Sequence, residues 1–312
     1  MSTTDERKII TTNLREAETT RMPQLNHTVL MSDALHFSAE QAINPYYGDP
    51  VVNSVVAVQE HETIAELLQQ AGVDVVKTSS PDTSQDGVYT ANWALVRGDT
   101  AILARLPNVR KTEEAHAASV LAQLGKKVIH VPEGLKFSGQ GDALPCGNLL
   151  FCGSTYRSDI EAQAFAADTL GYTRIQLQTI PELHNEKPVV NTISGWPDSF
   201  FYDIDLALSI IKHPSEDGDK GLIAYCPDAF TPESQKVLDK LTDVDKIIVT
   251  LDEAQKGFAC NLVSTGTTVV MSAHAPLLKA ALEAHGLVVL TPEIHELAKG
   301  GGYIRCTTLT LE

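Results

Sequence analysis

The sequence has no apolar run near the roughly 20 residues needed to cross a bilayer, which argues against a helical membrane protein. Its N-terminus, Met1-Ser2-Thr3-Thr4-Asp5, carries no apolar signal core. Its five cysteines (Cys146, Cys152, Cys226, Cys260 and Cys306) are an odd number without a Cys-x-x-Cys pair. Disulfide staples are not expected, and the chain reads as a reduced, cytoplasmic protein. Positive charge is scarce, with 24 Lys and Arg against 40 Asp and Glu and a formal net charge of −16. Nucleic-acid binding depends on clustered cations that release counterions, so no nucleic-acid partner is expected. His-x-x-x-His spacing is missing as well, and no metal is expected. Gly139 to Asp142 lacks the third glycine of a dinucleotide fingerprint, and no Gly-Lys-Ser/Thr follows Lys299-Gly300-Gly301-Gly302 as a P-loop requires, so no cofactor is expected.

The chain does have 312 residues that are 43% apolar, enough to bury a sizeable core. Five segments pair an amphipathic helical pattern with a short β-branched strand: 61–68 leading to 73–76, 114–124 to 128–131, 160–162 to 174–177, 233–235 to 247–249, and 276–278 to 287–290. Hairpin-like pieces at 91–103 and 261–271 lie between them. Each unit thus reads as a strand, a hairpin partner, a helix and a further strand. Five such units bury their apolar faces by closing into an α/β ring around a central cavity. An open doubly wound sheet is the competing arrangement, but Gly-rich phosphate turns and plainly parallel apolar strands are not evident.

The C-terminal tail brings three glycines, Gly300 to Gly302, to a single cysteine, Cys306, on an apparent terminal strand. Glycine lets backbone adopt φ > 0 or approach a neighbour closely, at an entropic cost. A buried free cysteine is most often a small hydrophobe, whereas a lone cysteine in an intracellular chain is a candidate nucleophile.

The ring of units and the Gly-Gly-Gly-x-x-x-Cys tail resemble the guanidine-modifying, or pentein, superfamily of dimethylarginine dimethylaminohydrolases, arginine deiminases and amidinotransferases. So do, in order, Ile43-Asn44-Pro45-Tyr46, Asp86-Gly87-Val88-Tyr89-Thr90-Ala91-Asn92, Arg110-Lys111-Thr112-Glu113-Glu114, Phe137-Ser138-Gly139-Gln140-Gly141-Asp142, Phe201-Tyr202-Asp203-Ile204-Asp205 and Ala229-Phe230-Thr231-Pro232-Glu233-Ser234. The likeness implies a pseudo-fivefold α/β propeller of ββαβ-type repeats over 1–312, with about 1–25 as an N-terminal extension. It further implies a cysteine-dependent hydrolase acting on the carbon of a small cationic guanidino or amidino substrate through a covalent thiouronium intermediate.

On that resemblance Cys306 is the nucleophile, and Asp86 and Asp205 are the carboxylates that match the paired N–H donors of the cation. Arg157, in Gly153-Ser154-Thr155-Tyr156-Arg157-Ser158-Asp159, would bind a substrate carboxylate, with Asn92 and Gln140 as further pocket polars. Without the resemblance Asp86 before Gly87 would read as an ordinary turn residue, and Arg157 is equally a surface helix cap.

Two positions depart from the pattern. Asp203 stands where the family carries its proton-shuttling histidine, and Ser138 where it carries a glutamate. If 201–206 is a strand, Asp203 and Asp205 point to the same face. Asp203 is then either a general acid whose pKa is raised by burial and like charge, or a third acid contacting the cation. Amidino transfer to a second amine uses the same intermediate and stays open. So does a catalytically silent pentein that binds a ligand or a protein, and a homo-oligomer is compatible with either.

Overall fold

The computed structural model describes residues 25–312, apart from 45, 46, 48–50, 107, 155, 193, 194, 196 and 216. The expected N-terminal extension and Pro45-Tyr46 lie outside the described residues. The elements in chain order are β1 (Thr28–Ser32), α1 (Ser54–Gln70), β2 (Asp74–Thr78), β3 (Ala94–Arg97), β4 (Thr100–Leu103), α2 (Thr112–Gln123), β5 (Lys127–His130), β6 (Ala143–Cys146), β7 (Leu149–Ser154), α3 (Ile160–Leu170) and β8 (Thr173–Gln178). A small hairpin follows, β9 (Leu183–His184) with β10 (Lys187–Pro188). Then come β11 (Leu208–Lys212), β12 (Gly221–Tyr225), α4 (Pro232–Lys240), β13 (Val244–Ile248), α5 (Leu251–Lys256), β14 (Val263–Ser264), β15 (Thr268–Val270), α6 (Pro276–Ala284), β16 (Val288–Leu290) and β17 (Leu309–Thr310).

Five three-stranded sheets result, each with one antiparallel and one parallel pairing: β3-β4-β5, β6-β7-β8, β11-β12-β13, β14-β15-β16 and β17-β1-β2. A tight connection allows the antiparallel pair, and the parallel partner needs a crossover, which a helix supplies in every unit. The last sheet joins the two ends of the described residues, with Val29 opposite Thr310 and Leu30 opposite Leu309. This is the pentein α/β propeller expected from the sequence.

The helices are set by local chemistry. Asn53 caps α1 by accepting from the Val56 N–H, which starts that helix seven residues before the pattern first read at 61, and Ala57, Ile64, Ala65 and Leu68 form its buried face. Thr231 followed by Pro232 starts α4, and Gly171 in the left-handed region ends α3.

Position in the repeat is what builds the site. Single turns of 3₁₀ helix, Thr90–Asn92, Gly139–Gly141 and Ile204–Leu206, lead into β3, β6 and β11. Three residues before the first strand of each unit stand Ala91, Gln140, Asp205, Cys260 and Cys306. All five are buried, and the lead-in turns meet one another around the axis.

Candidate active site

Cys306 lies in a turn three residues before β17, not on the terminal strand expected from the sequence. The glycines before it are needed for close packing. A Cβ on Gly300 would stand 2.2 Å from the Tyr89 hydroxyl, and one on Gly302 would stand 2.4 Å from the Tyr89 ring. Gly301 has φ +82°. The Tyr89 hydroxyl donates to Leu297 O at 2.6 Å and the Tyr202 hydroxyl to Gly301 O at 2.5 Å, fixing the tail from both sides.

Cys306 is 3% exposed. Asn261 holds it twice: its Oδ1 accepts the Cys306 backbone N–H at 3.1 Å, and its Nδ2 lies 3.1 Å from Sγ. Sγ also donates to Asp205 Oδ2 at 3.4 Å. Burial, followed by the nearby Asp205 charge, pushes the thiol well above its ordinary value. Cys306 therefore rests as a neutral thiol and needs a cation to become a nucleophile.

Asp203 and Asp205 do not share a strand face, because Ile204–Leu206 is a turn of 3₁₀ helix with Asp203 at its extended N-cap. Asp205 turns toward Cys306. Burial, then the charge of Asp203, raises its carboxyl to about 8, against the pull of Arg305. Asp203 turns instead toward the segments leading into β3 and β6 and toward Arg157. Its Oδ1 accepts from Ser138 Oγ at 2.8 Å, and its Oδ2 accepts from Asn92 Nδ2 at 2.9 Å and Arg157 Nη1 at 3.5 Å. Ser138 and Asp203, the two departures from the family pattern, are thus bonded to each other.

Asp86 is 1% exposed, in the segment before β3. Its Oδ1 accepts from the Tyr47 hydroxyl at 2.6 Å. Burial raises its carboxyl to about 6, opposed mainly by Arg110. Arg110 is committed elsewhere, with Nε and Nη2 on the two oxygens of Glu113 at 2.8 and 2.7 Å and Nη1 on Asn92 Oδ1 at 2.7 Å. Arg157 is buried rather than a surface cap, and it lies over the Tyr202 ring at 4.1 Å.

Among the described residues, Asp86 Oδ2 and Asp205 Oδ1 are buried carboxylate oxygens without a hydrogen-bond partner. Unpaired buried acceptors are uncommon and expensive. One belongs to the carboxyl that the Cys306 thiol donates to, and both match donors that a planar cation carries.

Gln140 is not turned toward the thiol. Its Oε1 accepts from Arg305 Nη2 at 2.8 Å and from the Thr310 N–H at 2.9 Å. With Asp205, Cys260 and Arg305 it lines a cavity of about 720 Å³ whose wall does not include Cys306, so Asp205 reaches the thiol and this cavity alike. Asn92 links Arg110 to Asp203. His116 packs edge-on against Trp93, bonds Ser79 O and is half-buried. His274 and His295 face solvent. Sequence reasoning missed Asn261, although the repeat marked it: Asn92 and Asn261 both stand two residues before the first strand of their units.

Comparison with known proteins gives consistent findings. The sequence model for eukaryotic N,N dimethylarginine dimethylhydrolase matches residues 47–194. The N(G),N(G)-dimethylarginine dimethylaminohydrolase of Mycobacterium tuberculosis is 31% identical over 291 residues, covering 90% of this chain and 84% of that protein. The bifunctional arginine dihydrolase/ornithine cyclodeaminase AgrE of Nostoc sp. is 28% identical over 288 residues, 90% of this chain. The match spans only 37% of AgrE's length. The crystal structure of the N-terminal domain of the cyanobacterial arginine dihydrolase ArgZ, bound to product, superposes with TM-score 0.79 at 26% identity, covering 91% of this chain and 97% of that domain. An ArgZ variant covalently bonded to a reaction intermediate superposes equally, with TM-score 0.79 at 25% identity and the same coverage.

Proposed function

The chain belongs to the dimethylarginine dimethylaminohydrolase family, and on that premise we propose that it hydrolyses a C–N bond of the guanidino group of an arginine-like substrate through a thiouronium on Cys306. The observation that carries this reading is the pair of unpartnered carboxylate oxygens, on Asp86 and Asp205, buried with a thiol that needs a cation to ionise. A guanidinium donates to both oxygens and lowers the pKa of the thiol and of Asp205 together.

In this reading the Cys306 proton passes to Asp205 and the thiolate attacks the guanidinium carbon. Asp205 then returns the proton to one nitrogen, which leaves as the amine, and the S–C bond remains in a cationic thiouronium. Water adds to that carbon, losing its proton to Asp203, which Ser138, Asn92 and Arg157 hold as an acceptor. The S–C bond breaks as the hydroxyl proton of the adduct passes to sulfur, giving the ureido product and the thiol, and Asp203 hands its proton to the departed amine or to water. Arg157 is our choice for the substrate carboxylate. The relatives' names lead us to L-arginine and N-methylated arginines as the first substrates to try. All five cysteines are free and buried, in keeping with a reducing compartment such as the cytoplasm. Among the described residues no helix is long and apolar enough to cross a membrane.

The test is intact-mass labelling with 2-chloroacetamidine, with ureido-product analysis in parallel, with and without amine acceptors. One adduct on Cys306 that depends on Asp86, with ureido product lost in Cys306→Ser and Asp203→Asn, is the expected result. Turnover intact in Asp203→Asn removes its assigned role. An amidino-transfer product moves the chain to the transferases, and labelling of Cys306 no faster than the other cysteines makes it a silent binder.

A further inference from the structure

We propose that His274, Glu293 and His295 form a binding site for one borderline divalent transition-metal ion of the zinc class. The three residues come from the connections that follow β15 and β16, and their sequence spacing does not suggest a ligand set. β15 and β16 are parallel neighbours, and Met271 N–H bonds Leu290 O just beyond them. The segments leaving these strands therefore run side by side. His274 lies on one, and Glu293 and His295 on the other.

The geometry suits an ion better than a chance ion pair. Each residue offers one ligand atom, and all three atoms lie within 4.8 Å of one another. Glu293 Oε2 is 3.4 Å from His274 Nε2 and 3.7 Å from His295 Nε2. Ligands about 2.0–2.1 Å from a tetrahedral zinc stand about 3.3–3.4 Å apart, so a small inward movement closes the set. Two imidazoles favour zinc, nickel or copper over calcium or magnesium. Three protein ligands leave the remaining positions to water.

The backbone beneath the site is anchored. Ser272 Oγ accepts the His274 N–H at 3.1 Å, and the buried Glu60 carboxylate accepts the N–H groups of His295, Glu296 and Leu297. Such anchors hold ligands in place before an ion arrives, which reduces the ordering that binding requires. The ion would tie together two loops that Tyr303 already bridges, since Tyr303 lies within hydrogen-bond distance of Ser272 Oγ and Ile294 O. The site therefore acts as a structural clamp beside the tail that carries Cys306.

The experiment is calorimetric titration of tag-free protein with zinc, with cobalt absorption as a second readout of coordination. Wild type and Cys306→Ser are expected to bind one equivalent. His274→Ala and His295→Ala are expected to bind at least about tenfold more weakly. The clamp also predicts a rise in Tm with zinc in the two binding forms and none in the two histidine variants. Binding unchanged in the histidine variants, binding abolished by Cys306→Ser, or no binding at zinc concentrations well above that of the protein overturns the proposal. None of these outcomes depends on the enzymatic reading.

Discussion

Asp86→Asn separates stability from function at a single atom. Burial moves the Asp86 carboxyl from 3.8 to about 6. A raised carboxyl pKa means that the folded protein favours the proton. The associated stability is complete below 3.8 and is lost as pH rises through about 6. At 1.36 kcal/mol per pH unit of displacement, holding the charge in the fold costs about 3 kcal/mol at pH 8 and about half that at pH 5. Asparagine keeps an acceptor for Tyr47 and carries no charge, and Arg110 retains Glu113. Urea denaturation should therefore find Asp86→Asn more stable than wild type by up to about 3 kcal/mol at pH 8, with the gap shrinking at pH 5. Turnover and chloroacetamidine labelling should be lost throughout. A variant no more stable than wild type at pH 8, or a gap that ignores pH, would refute the reasoning.

Other positions give independent checks. Glu113→Gln leaves the fully buried Arg110 without its bidentate partner, and denaturant titration should register a loss of about 3–5 kcal/mol; a change below 1 kcal/mol would mean that other carbonyls suffice. Gly302→Ala places a Cβ 2.4 Å from the Tyr89 ring, so we expect a loss of about 1–3 kcal/mol and slower labelling of Cys306, whereas an unperturbed labelling rate would show that the tail has room to shift. Asp205→Asn removes the charge that, after burial, does most to hold the Cys306 thiol up. The midpoint pH for alkylation by neutral iodoacetamide should fall in that variant, and an unchanged midpoint counts against the pairing.

The fold was legible because its signals are local and repeated. Helical periodicity followed by β-branched runs marked α2 with β5, α3 with β8 and the later pairs, and five exposed apolar faces have no economical partner except one another. The ends of elements were less legible. Asp203 and Asp205 alternate like strand residues, yet the ring requires a tight 3₁₀ lead-in at that point, and the turn sends the two carboxylates to different partners. Gln140 failed for the same reason: flanking glycines suggest close approach but do not say to which side of the lead-in turn. The bond between Ser138 and Asp203 joins residues 65 positions apart and has no sequence signature of its own.

The charge arrangement around Cys306 favours one sign of ligand and one half-reaction as the difficult step. Asp203 and Asp205 stand close to the buried Cys306 thiol, where like charge and desolvation oppose ionisation of the thiol. Arg110 is taken by Glu113, Arg305 by Gln140 and Thr308, and Arg157 lies against Asp203. The local cations therefore already have acceptors, while Asp86 and Asp205 each keep an oxygen without a donor. A guanidinium supplies the missing donors and the missing positive charge together, so substrate binding itself generates the thiolate. Once the amine has left, the cation persists as the thiouronium, and the site must deprotonate water without a histidine. Asp203 faces that step with its carboxylate already occupied by three donors, which leaves few positions for an attacking water. On this reasoning hydrolysis of the thiouronium is slower than attack, and a covalent species on Cys306 should accumulate when the protein is mixed with its substrate and quenched in acid.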